Sequence, residues 1–289
     1  MTLIAVLASL LLERMLEHVQ HLRRYERYHD YTVWMREHLR GERWQGRLGV
    51  VALLAPLLLV TAWLQTGLDD ALFGLLGLVF AIAVLVFCLG PRDLGLELTE
   101  YRAALTADND ELATRLARGL LGTEPPEDMD AQARAVTHAV LTQANVRIFG
   151  VLFWFAILGP FGAVLYRAVA ELCRHLAQTQ DDFAWAARRL AEILDWLPAR
   201  LTACGYALSG DFEAAVLRWR NLSTDVAHWG LPADDVLSAT GTGALDLDED
   251  SRDNLTWDQV LQSAMSLVWR TLVMWVFVIA LLTLAGWAG

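Results

Sequence analysis

The chain has 289 residues, 55% of them hydrophobic and 20% charged, and it carries 12 Trp. Soluble domains hold about 45–50% apolar and about 25% charged residues, so this excess, gathered in a few runs, points to an integral membrane protein. All 23 basic residues are Arg, which excludes a lysine-based phosphate loop and Schiff-base chemistry, and the net charge of −11 argues against a nucleic-acid partner.

Residues 2–12 form an apolar run too short to span a bilayer, where about 20 residues are needed. It lacks a basic leader and a small-residue cleavage site, so no cleavable signal is expected. Glu13, Glu17 and His21 recur at i, i+4, i+8 and share a helix face. An ion-paired interfacial face explains them better than a metal site, because no ligand motif of recognised spacing is present. No metal or cofactor is expected. Residues 14–47 hold eight Arg mixed with Tyr and Trp, which suits a helix at headgroup level on the cytoplasmic side.

Residues 48–65 predict a first full span and residues 71–91 a second, joined by an acidic outer turn. Residues 92–147 read as a helical cytoplasmic region, with an N-cap cluster at Asp108-Asn109-Asp110. Residues 148–166 predict a third span, kinked in the membrane at Gly159 and Pro160 because proline removes a helical donor. Arg167, Glu171 and Arg174 follow at i, i+4, i+7 as one charged face near the membrane. A functional site and a structural ion ladder both fit it.

An amphipathic helix is expected over 181–197. Pro198 then suits the first turn of a new helix over 199–209, ended by a left-handed Gly210, with Asp211 capping the next. Residues 223–258 read as a mobile acidic loop. Its Asp246-Leu247-Asp248-Glu249-Asp250 run lacks the Gly and Glu of a calcium loop. Residues 268–287 predict a last span. The sequence thus divides into membrane helices 1–91, a cytoplasmic region 92–147, and a C-terminal membrane region 148–289 with interfacial helices over 181–222. Either residues 190–208 cross the membrane, or residues 170–267 lie outside. Cys88, Cys173 and Cys204 are isolated and odd in number, which suits packing rather than disulfides or zinc.

Leu12-Glu13-Arg14-Met15-Leu16, Tyr101-Arg102-Ala103-Ala104-Leu105, and above all Leu194-Asp195-Trp196-Leu197-Pro198-Ala199-Arg200-Leu201 with Tyr206-Ala207-Leu208-Ser209-Gly210 resemble the AmpE family over essentially the whole chain. The chain resembles the CobD/CbiB family more distantly, through Arg115 and Arg118, Leu152-Phe153-Trp154, Tyr166-Arg167-Ala168-Val169 and Trp196-Leu197-Pro198-Ala199-Arg200-Leu201. Members of that family attach aminopropanol or its phosphate to a corrinoid carboxylate. Against that family, Glu13-Arg14 replaces an Asp-rich motif, and Ala144-Asn145-Val146-Arg147 keeps only the Asn of another. These missing acidic groups point away from an enzyme.

The first resemblance implies an all-α, multi-pass protein of the bacterial inner membrane, tied to β-lactamase induction and peptidoglycan recycling. Arg167, Glu171, Arg174, Asp195, Arg200, Trp219 and Arg220 are then expected to line a groove at the cytoplasmic face. The arginines there would hold an anion: a muropeptide, a nucleotide or a lipid phosphate. Two alternatives are a divergent synthase of the adenosylcobinamide-phosphate type, and a ligand-free scaffold for a protein partner such as an amidase.

Overall fold

The computed structural model describes residues 2–15, 26–38, 41, 44, 46–69, 74–89, 94–222, 230–246 and 256–285. Glu13, Glu17 and His21, the run 247–250 and most of the turn after residue 69 lie outside the described side chains. Among the described residues every regular element is helical. They are α1 (Thr2–Met15), α2 (Glu26–His38), α3 (Arg47–Asp69), α4 (Leu75–Cys88), α5 (Leu94–Thr106), α6 (Asp110–Leu121), α7 (Met129–Ala144), α8 (Gly150–Leu158), α9 (Pro160–His175), α10 (Asp182–Ser209), α11 (Phe212–Asn221), α12 (Ala233–Ala244) and α13 (Trp257–Leu284), with a π-turn over Asn145–Phe149.

Among the described residues, three helices are long and apolar enough to cross a membrane: Arg47–Leu68, Met129–Leu158 and Trp257–Leu284. Thr2–Leu12 and Leu75–Cys88 are shorter apolar helices. Leu59, Trp63, Val273, Phe277 and Leu281 are exposed along these helices, as side chains that meet lipid are. The fold is that of a polytopic α-helical membrane protein.

The chain forms two compact units. The first comprises Met1–Pro91, Gly150–Asp195 and Val276–Gly289; the second comprises Arg92–Phe149 and Trp196–Trp275. In the first, α1 packs on α4, α3 and α4 pack on α9, and α8 folds back on α9. Its core includes Val6, Leu53, Leu85, Phe155 and Leu172. In the second, α6 packs on α5 and α7, and α12 packs on α7 and α11. Leu98, Tyr101, Leu120, Val136, Leu141, Phe149 and Tyr206 are buried there.

The break after α8 falls where the sequence puts it. Gly159 has φ 65° and ψ −151°, a region essentially restricted to glycine, and Pro160 opens α9. The freed backbone groups are satisfied by Gln65 of α3. Its Oε1 accepts from the Phe161 N–H at 3.0 Å, and its Nε2 lies 3.5 Å from the Leu158 carbonyl. A Cβ at Gly162 would stand 2.1 Å from the Trp154 carbonyl oxygen, so only glycine permits this tight hairpin.

Other boundaries differ from expectation. The helix that carries the third apolar stretch begins well before residue 148: α7, the π-turn and α8 follow one another without a break from Met129 to Leu158. Polar residues along this helix are paired. Arg147 meets Glu97 at 2.7 Å, Gln143 donates to the Leu120 carbonyl, and Asn145 Oδ1 accepts from the Thr202 hydroxyl at 3.2 Å.

Pro198 does not start a helix; α10 continues through it for 28 residues. The missing N–H orphans the Leu194 carbonyl, which accepts the Trp154 indole N–H at 3.1 Å instead. Gly210 is not left-handed. Its lack of a side chain admits the Ala244 carbonyl, which a Cβ would meet at 2.3 Å. Asp211 does cap α11, accepting from the Ala214 N–H at 2.8 Å. The expected acidic loop contains α12, whose Thr-Gly-Thr-Gly run lies buried. A Cβ at Gly241 or Gly243 would stand 2.8 Å from Leu141 or from the Ala214 backbone, so these glycines are packing surface rather than loop.

Candidate functional site

Arg167, Glu171 and Arg174 share one face of α9, as their spacing requires. Glu171 is 2% exposed and Arg167 5%. Buried charges need partners, and both have them. Arg167 Nε donates to the Cys88 carbonyl at 2.6 Å, so the guanidinium caps the C-terminus of α4. Its Nη1 lies 3.6 Å from Glu171 Oε1, and Arg174 pairs with Glu171 Oε2. From α2, His29 Nε2 approaches Glu171 Oε2 to 3.9 Å, too far for a hydrogen bond. The His29 ring stacks on His175 at 4.6 Å, and the Tyr28 hydroxyl donates to the Ala168 carbonyl at 2.9 Å. Burial, then the neighbouring His175, hold the His29 pKa below its usual value. Asp195 accepts the Tyr166 hydroxyl in the same unit.

The other expected residues belong to the second unit. Arg200 lies over the Trp196 ring at 4.4 Å and donates to the carbonyls of Trp196 at 2.9 Å and Leu231 at 3.2 Å. It therefore ties α10 to Leu231, two residues before α12. On α11, Trp219 is partly exposed and Arg220 exposed. Among the described residues, no group of three His, Cys, Asp or Glu is placed to hold a metal ion.

A cleft not anticipated from the sequence lies wholly within the second unit. Arg134, Thr137 and His138 of α7, Arg218 of α11, Thr242 of α12, and Trp257 and Val260 of α13 line about 140 Å³. Arg218 Nη1 donates to Thr242 Oγ1 at 3.2 Å. Arg134 lies 5.8 Å over the Trp257 ring and 3.7 Å from Asp128, while the Trp257 indole donates to Asp130. Arg102 fixes the start of α13 by a two-pronged bond to Asp258 at 2.8 and 3.0 Å. Arg134 and His138 stand one helical turn apart, a spacing that the sequence reading did not single out. Arg218 and Thr242 come from distant elements, and no local spacing announces them.

The fold defines a helical membrane protein, and this cleft gathers two arginines and a histidine. The family model described as CobD/Cbib protein matches residues 6–248. The chain belongs to the CobD/CbiB family. It is 34% identical over 207 residues to the cobalamin biosynthesis protein CobD of Chromobacterium violaceum, covering 70% of this chain and 64% of that relative. It is 29% identical over 267 residues to the protein of the same name from Stutzerimonas stutzeri, covering 86% and 84%. With that of Pelobacter propionicus it shares 28% over 174 residues, covering 58% and 53%. No solved structure matches the chain. These findings overturn the expected role in β-lactamase induction and peptidoglycan recycling, and nothing in them supports the AmpE resemblance.

Proposed function

We propose that this chain is a membrane-bound enzyme of cobalamin biosynthesis that joins an amino alcohol, or its phosphate, to a carboxylate of a corrinoid. One observation carries the reading: the family match runs from residue 6 to 248, through both units, and the similar curated proteins are named for cobalamin biosynthesis. The reaction forms an amide from an amine and a carboxylate with net loss of water, so the carboxylate must first be activated by an anhydride or phosphate. Such chemistry is served by arginine, whose fork matches phosphate and carboxylate. It needs no lysine, and this chain has none.

In this reading the protein lies in the bacterial cytoplasmic membrane. The Arg167–Glu171–Arg174 cluster holds α9 against its neighbours, Arg200 holds α10 to Leu231 just before α12, and substrate contact falls to groups facing open space. Expression in cells that lack their own CobD protein tests it. Growth on an incomplete corrinoid that needs the amide-linked aminopropanol is expected. No growth, with the protein present in the membrane at normal levels, contradicts it.

A further inference from the structure

We infer that the second half of α10, residues 197–208, is seated in the membrane with one face against lipid acyl chains, although it belongs to none of the three candidate spans. The inference rests on the helical membrane fold and is independent of the reaction proposed above.

Exposure is the first argument. Between residues 197 and 208 the exposed side chains are Leu197, Leu201, Cys204 and Leu208. They recur at i, i+4, i+7 and i+11, so they form one row along the helix. The three leucines are 41%, 41% and 66% exposed. A surface helix in water turns its charged and polar residues outward. Here the outward row holds no charge. The segment's one charged residue, Arg200, is drawn over the Trp196 ring and bonded to the Trp196 and Leu231 carbonyls. Beyond Leu208 the next exposed residues are Asp211, Phe212 and Glu213, so charge returns where the row ends.

The inward face is its complement. Ala199, Ala203, Gly205 and Ala207 are buried. Small residues inside and large aliphatic ones outside is the arrangement of helices packed in lipid, where close backbone approach drives association. The buried polar groups of the segment are bonded, as polar groups away from water must be. The Thr202 hydroxyl donates to Asn145 Oδ1 at 3.2 Å, and the Tyr206 hydroxyl to the Leu141 carbonyl at 2.8 Å.

The neighbours supply the environment, all within the second unit. Leu141 and Asn145 belong to the candidate span Met129–Leu158. A Cβ at Gly205 would stand 2.6 Å from Thr271 Cγ2 and 3.0 Å from Met274 Cε, both on the candidate span Trp257–Leu284. The back of the segment thus touches two helices apolar enough to cross a membrane. Val273, in the turn of α13 that Gly205 meets, is exposed as well, so both helices present bare apolar side chains at this level. The row on α10 lacks the Tyr, Trp and Arg that mark protein interfaces, which favours lipid over a second protein surface.

Collision accessibility of a nitroxide label tests this. The full chain carrying Cys88→Ala and Cys173→Ala is labelled at Cys204 and reconstituted in phosphatidylcholine vesicles. Reference labels go on Val273→Cys and Glu213→Cys, each with Cys204→Ala. Oxygen concentrates in lipid, and a water-soluble nickel chelate is kept out of it. The oxygen-to-nickel collision ratio at Cys204 should exceed that at position 213 by about fivefold or more and match that at position 273 within about twofold. A ratio equal to that at position 213 would put the face in water and overturn the inference. Low collision with both reagents would overturn it too, because a second copy or another protein would then cover the face. Should the cysteine-depleted chain fail to fold, the unaltered protein gives a second reading. It is irradiated in vesicles holding a lipid with a photoactivatable acyl chain, then cleaved after arginine. Lipid adducts on Leu201, Cys204 or Leu208 within the fragment 201–218 are expected. Adducts on the fragment 271–289, with none on those three residues, would overturn the inference.

Discussion

Glu171 shows how residue-scale physics decides between a site and a strut. It is almost wholly buried, and its carboxylate is shared by Arg167, itself buried, and by Arg174, which is half exposed. Truncating the buried partner leaves an uncompensated charge, whereas truncating the exposed one removes a screened pair. Arg167→Ala should therefore cost about 3–5 kcal/mol and Arg174→Ala about 1 kcal/mol or less, measured as unfolding in detergent. Equal effects would contradict the buried-strut account. His29 beside them supplies a pH test. Its folded pKa is lowered by burial first and His175 second. Below a pH of about 6.5 the unfolded chain takes up a proton that the native imidazole resists, so stability falls as pH drops. Replacing His29 with Gln should flatten the melting temperature between pH 7 and about 5.5; an unchanged slope would remove His29 from the account. The shared face of Arg167, Glu171 and Arg174 was legible from spacing alone. That Arg167 caps α4 was not, because the acceptor is the Cys88 carbonyl of another helix.

At the scale of elements, proline and glycine were read by their local habits, and tertiary partners overrode two of those readings, at Pro198 and Gly210. Pro198 stays inside α10 because the carbonyl it orphans is taken by Trp154. A double-mutant cycle tests this compensation. Trp154→Phe should cost about 1–3 kcal/mol in the native chain and clearly less in Pro198→Ala, where residue 198 regains its own N–H. Equal costs in both backgrounds would break the link. Gly210, Gly241 and Gly243 likewise serve close approach between helices, which a sequence read one element at a time cannot show. Gly159 behaved as its neighbours predict, since Gly-Pro after an apolar run has few other uses. Gly159→Ala should destabilise the protein by about 1–3 kcal/mol, read as a lower melting temperature in detergent.

For the whole molecule, composition alone identified a helical membrane protein, because hydrophobic runs report on the solvent rather than on partners. The spans were harder to bound. Arg147, Gln143 and Asn145, just before the expected start of the third span, are paired along an unbroken helix. The candidate cleft was the least legible part. Its two arginines stand 84 positions apart, as the numbering shows, and only the packing of α12 on α7 and α11 assembles the wall between them. The functional expectation erred differently. Missing acidic motifs were weighed above a resemblance that runs through most of the chain, and the family match reverses that weighting. The most direct test of the account is mass spectrometry of a corrinoid incubated with the purified protein, ATP, magnesium ion and aminopropanol phosphate. The account predicts a corrinoid heavier by the amide-linked aminopropanol phosphate, formed only when the protein is present. An unmodified corrinoid, recovered from a folded protein under those conditions, would contradict it.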